Sequence, residues 1–122
     1  ESKAQYLYYS VPMYSASVVI ENAFEDIFPR QLSGGHTHLF TENSIEELNR
    51  QLNSQPIAEW RFGVDIMDFY RSIMTRLQGN GTSEKMVNRF GAEFAQHIDA
   101  LQAVLDQAHF CSEIHSVIQK CD

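Results

Sequence analysis

The spacing of apolar residues changes several times along the chain, and each change marks an expected element. Gln5 to Val11 mixes aromatic and β-branched residues and is expected to form a strand. Pro12 brings no N–H to a ladder, so that strand ends there or lies on an edge. From Ser17 the period lengthens. Val19, Ala23 and Ile27 form one series and Ile20, Phe24 and Phe28 a second, with Glu21, Asn22, Glu25 and Asp26 on the opposite side. This is a helix that Ser15 or Ser17 can cap and Pro29 ends. Ser33-Gly34-Gly35 reads as a turn and His36 to Phe40 as a short strand.

Asn43 followed by Glu46 has the pattern of a capping box. Ile45, Leu48 and Leu52 then give one face of a short helix, which Pro56 closes. Trp60, Phe62, Val64 and Ile66 alternate with polar positions and glycine, as a strand does. Met67, Tyr70, Met74 and Leu77 restore helical spacing up to Gly79-Asn80-Gly81.

Thr82 or Ser83 caps a final run. Val87, Phe90, Phe94, Ile98, Leu101, Leu105, Ala108, Cys111, Ile114, Ile118 and Cys121 keep helical steps to the end of the chain. Three short steps in succession rotate the stripe between Leu105 and Ile114, which marks residues 109–112 as the expected break. Unbroken, the run would be about 54 Å long, more than a compact domain of this size can accommodate. Beyond the break, Ile114, Ile118 and Cys121 need a covering surface of their own. A separate short helix folding back, or a homodimer contact through this C-terminal helix, would supply it.

These elements predict a helix-rich α+β fold. Two to three short strands are packed by four or five helices, with a long or broken C-terminal helix. The 122 residues suit one domain spanning 1–122, large enough to bury a core without a disulfide or metal. A hydrophobic fraction of 43% and a charged fraction of 20% are ordinary for a folded chain. No apolar stretch reaches the roughly 20 residues of a spanning helix.

Charge narrows the partners. The net charge is −7, and Lys and Arg form no cluster, which argues against nucleic acid and against anionic membranes. Residues 1–60 hold eight carboxylates and three cations, a net of −5; residues 61–122 hold eight and six, a net of −2. An acidic first half would speed encounter with a basic protein. Cys111 and Cys121 have no metal-finger spacing, and about 15 Å would separate them on an unbroken helix, too far for a disulfide. Free thiols in a cytoplasmic protein are expected. A periplasmic or secreted protein, freed of a signal segment, is the alternative.

Four groups of residues have chemical potential. His36 and His38 would share one face of a strand and, with Glu42 or a remote carboxylate, resemble a weak metal site; two polar loop residues are the plainer reading. Cys111 and His115 lie one helical turn apart, as do His109 and Glu113, although Cys111 also fits the apolar stripe as a small hydrophobe. Glu21, Glu25, Asp26, Glu42, Glu46 and Glu47 fall on polar helix faces, suited to docking a basic partner if not merely to solubility. Tyr6 and Tyr8 share one strand face and are exposed if Leu7, Tyr9 and Val11 face the core; Tyr14 and Trp60 add further aromatic anchors.

The chain has no phosphate-binding glycine loop, no nucleophile elbow and no His-Glu-x-x-His motif. Asn80-Gly81-Thr82 has the form of a glycosylation acceptor and equally of a turn before a helix cap. The expected function is therefore a small, acidic, non-enzymatic protein-binding module that needs no cofactor. Its sharpest form is an inhibitor, immunity protein or antitoxin that neutralises a basic nuclease toxin. A ligand- or metal-sensing domain built on His36 and His38 is the alternative.

Overall fold

The structure is a computed structural model describing residues 4–27, 29–33 and 35–121. Phe28 of the second stripe and Gly34 of the expected turn lie outside the described residues. Chain order is β1 (Tyr6–Pro12), α1 (Ala16–Ala23), α2 (Glu42–Gln51), β2 (Ser54–Phe62), α3 (Asp65–Gly79), α4 (Glu84–Ala95), α5 (Ile98–Gln107) and β3 (Glu113–Lys120). The strands form an antiparallel sheet ordered β1-β3-β2, so the last strand is the middle one. The fold is α+β, as the sequence predicts.

The final segment corrects the helical expectation. The run breaks first between α4 and α5, at Gln96 and His97, and the helix ends after Gln107. His109 takes a left-handed φ of 55°. Its N–H donates to Asp106 O and the N–H of Phe110 to Leu105 O, the paired bonds of a Schellman ending. The chain then becomes β3. Cys111, Ile114 and Ile118 are buried, as a core stripe requires, but Ile114 and Ile118 reach the core from a strand. The C-terminal segment is therefore not the helix through which the sequence predicts a homodimer contact, and both edges of β3 are paired within the sheet.

Register assigns the two sheet faces. Val11 lies opposite Ile114, Tyr9 opposite Ser116 and Leu7 opposite Ile118, on the face that α2 covers. Ile45 of α2 packs there with Met13 and Ile114, joined by Tyr9, Val11 and Phe40. The α2 cap is Thr41, two residues before the expected Asn43. Thr41 Oγ1 accepts from Ser44 N–H at 3.3 Å, and Ser44 Oγ accepts from Thr41 N–H at 2.7 Å. Glu46 takes no part in this capping box. Pro56 does not close the helix; it sits within β2 at a bulge before Ala58. Trp60 and Phe62 are in β2 as expected, whereas Val64 caps α3 and Ile66 lies inside that helix. The expected strand at 36–40 is absent; Phe40 alone bridges to Met13.

The helices rest partly on a buried polar network. α1 ends at Ala23 and turns Ser17, Val18 and Glu21 inward, while Val19 is half exposed. Asp65, fully buried, accepts from the N–H groups of Ser17 at 2.9 Å and Ser112 at 3.0 Å. Gln102 donates to it at 3.3 Å. Asp68 accepts from Ser17 Oγ at 2.9 Å and pairs with Arg30 at 2.9 Å. These bonds tie α1, α3, α5 and the start of β3 together, so the inward sides of α1 and α3 carry carboxylates where an apolar stripe is expected. Tyr70, Phe90 and Phe94 stack between α3 and α4. Among the described residues no helix is long and apolar enough to cross a membrane.

Candidate docking face

The opposite face of the sheet is exposed at Tyr6, Tyr8, Ser10, Ala58 and Trp60. Tyr6, Tyr8 and Ser10 from β1, Glu113, His115 and Val117 from β3, and Ala58, Trp60 and Phe62 from β2 share it by register. An antiparallel sheet can leave one face to solvent, but that face is then usually polar. Here it is aromatic. Tyr6 is 55% exposed, Tyr8 56% and Trp60 64%. Tyr6 and Tyr8 thus stand where the strand alternation predicts, on the side away from the core.

His115 sits at the centre of this face. Its ring centroid lies 5.7 Å from that of Tyr8, 5.8 Å from Trp60 and 4.9 Å from Phe62. Trp60 and Phe62 are themselves 4.8 Å apart. Tyr8 Oη is 2.6 Å from His115 Nδ1, and His115 Nε2 is 2.9 Å from Glu113 Oε1. Ser10 Oγ donates to the same Glu113 oxygen at 2.9 Å. A carboxylate only accepts, so His115 Nε2 donates to Glu113, and in the neutral ring Nδ1 accepts from the Tyr8 hydroxyl. The chain of bonds fixes the Tyr8 and His115 rings in place.

The acidic residues are arranged differently. Glu42 forms a two-pronged ion pair with Arg61, at 2.5 Å and 2.9 Å. Glu47 pairs with Arg50 at 2.6 Å and also accepts from Gln51. The bonds from Arg50 and Gln51 hold its carboxyl down at about 2. Glu46 is exposed beside them. All three belong to α2, which covers the core side of the sheet, so they do not share a surface with Tyr6 and Tyr8. Asp26 pairs with Arg76 at 3.1 Å, and Glu25 is exposed.

Glu21 corrects its assignment to a solvent-facing acidic group. Its carboxylate is buried and accepts from the N–H groups of Arg30 and Gln31 at 2.8 Å and of Leu32 at 3.0 Å. It fastens the segment after α1 instead of meeting a partner.

His36 and His38 are on no strand, so they do not share a face as expected. His36 Nδ1 contacts Gln31 O at 3.3 Å, and His38 Nδ1 contacts Thr37 Oγ1 at 3.0 Å. Among the described residues no group of three or more His, Cys, Asp or Glu is placed to hold a metal ion. Cys111 and His115 are not a helix pair either. Burial, reinforced by the Asp106 carboxylate, pushes the Cys111 thiol up to about 11, which makes it a poor nucleophile at neutral pH.

Phe62 is absent from the sequence-based set, and Glu113 and His115 enter it only as members of supposed helix pairs. The signal that could have found them is the alternation of Ile114, Ser116 and Ile118 with His115 and Val117. The chain matches no protein-family model, no curated protein and no solved structure.

Proposed function

We propose that this chain is a small non-enzymatic protein-binding module whose open sheet face docks a basic protein partner. The observation that carries the reading is an aromatic surface, with Tyr8, Trp60 and Phe62 around His115 and Tyr6, Tyr8 and Trp60 exposed, on a chain of net charge −7. Rigid aromatic side chains concentrate binding energy at interfaces, and exposed apolar patches mark them. The acidic residues on the helices supply long-range attraction and lie outside the contact itself. An inhibitor that neutralises a basic toxin is the sharpest form of this reading. Free cysteines suit a reducing compartment such as the cytoplasm.

Affinity capture with the wild-type chain and with a Tyr8→Ala, Trp60→Ala double variant tests it. A basic protein retained by the wild type, lost with the double variant and bound more weakly as salt rises is the expected result. Equal retention by the variant, or affinity indifferent to salt, overturns the reading.

A further inference from the structure

The outer edge of β1 is a second surface with a definable occupant. Lys120 N–H donates to Gln5 O at 2.9 Å, and Met13 N–H donates to Ser112 O at 2.9 Å. Between these ends the antiparallel ladder alternates, so Leu7, Tyr9 and Val11 bond to β3 while the backbone of Tyr6, Tyr8, Ser10 and Pro12 points outward. Pro12 O is taken by Phe40 N–H at 2.9 Å. The outward N–H and C=O groups of Tyr6, Tyr8 and Ser10 have no partner among the described residues. A cavity of about 600 Å³, lined by Ser10, Pro12, Gly35 and His36 among others, separates the Ser10 end from the neighbouring segment.

The two edges of the sheet differ. β2 is protected in the ways natural sheets use: Pro56, a bulge, and the charged pair Glu59 and Arg61 on its outward positions. β1 has none of these between Tyr6 and Val11. The stretch from Ala4 to Met13 contains no Asp, Glu, Lys or Arg, although the whole chain is at −7. The two paired strands would therefore bring no charged side chain of their own to the contact.

We infer that β1 pairs with β1 of a second copy of this chain. These outward groups are self-complementary about Tyr8. In an antiparallel register, Tyr8 faces Tyr8 of the second copy and Tyr6 faces its Ser10. Three such pairs, each exchanging two N–H···O bonds, give about six bonds across a two-fold axis. The two sheets become one six-stranded sheet, and both aromatic faces stay open on the same side.

Light scattering on the eluting protein and amide exchange by NMR test the inference. The expected mass is twice 14.0 kDa, with the Tyr6, Tyr8 and Ser10 amides protected in proportion to protein concentration. Ser10→Pro removes an outward N–H, which an edge strand tolerates, together with the exposed Ser10 Oγ–Glu113 bond, and is expected to yield a folded monomer. Trp60→Ala, which alters the docking face, should leave the dimer intact. If Ser10→Pro does not fold, exchange in the wild type decides the matter. A wild-type monomer at NMR concentrations, or a dimer whose Tyr8 amide exchanges freely, overturns the inference.

Discussion

Tyr8 and His115 are 107 residues apart in the chain, yet Tyr8 Oη lies 2.6 Å from His115 Nδ1 across the β1–β3 ladder. With Glu113 on the other ring nitrogen, the geometry specifies the tautomer. Nitrogen-15 NMR is expected to show the neutral His115 ring protonated at Nε2 and bare at Nδ1. Tyr8→Phe should cost about 0.5–1.5 kcal/mol, the net worth of one hydrogen bond, measured by urea unfolding. A proton on Nδ1 in the neutral ring would contradict the arrangement.

Asp65 holds three elements at once through Ser17 N–H, Ser112 N–H and Gln102. Asp65→Ala would strand two buried amides, each at a cost of about 1–3 kcal/mol. A combined loss of several kcal/mol in chemical denaturation is expected. A change below about 1 kcal/mol would show that water replaces the carboxylate.

Gly63 is close against the same network. A Cβ there would collide with the Asp65 carboxylate and come within 2.7 Å of Ser112 Oγ and 2.8 Å of Ser112 N. Gly63→Ala is expected to lower stability by about 1–3 kcal/mol, the usual cost of overpacking. Thermal melts of the variant read this directly, and an unchanged midpoint would speak against the close approach.

His109 occupies a left-handed position where glycine is the usual residue. His109→Gly removes a steric cost of about 1–2 kcal/mol but loosens the unfolded chain by somewhat less, so a neutral to slightly stabilising effect is expected. Destabilisation beyond about 1 kcal/mol would mean that the imidazole itself contributes to the turn.

Cys111 is buried with its thiol pushed up to about 11, and Cys121 is half-buried. Mass spectrometry after mild alkylation should find Cys121 modified first and Cys111 only on unfolding. The pH effect has a definite sign. Between the ordinary thiol value near 9 and about 11, the unfolded chain loses the Cys111 proton while the folded chain keeps it. Its contribution to stability is thus intact below pH 9 and falls as pH rises through 11. Cys111→Ser should change the slope of stability against pH in that window.

Local spacing was enough to place β1, α2, the alternation at Trp60 and Phe62, and the helical periods of α3 and α4, because each depends on neighbours in the chain. It also separated Tyr6 and Tyr8 from the core. Tertiary structure decided the rest. Ile114 and Ile118 are four apart, which is one helical turn and equally two strand steps, and only pairing with β1 and β2 selects the strand. The Schellman ending at His109 has no glycine to announce it. Glu21 reads as a solvent-facing carboxylate because the donors that satisfy it, the backbone N–H groups of Arg30, Gln31 and Leu32, come from another segment, as do those of Asp65 from Ser17 and Ser112. The aromatic face exists for the same reason: His115 meets Tyr8, Trp60 and Phe62 only after the last strand has inserted between the first two.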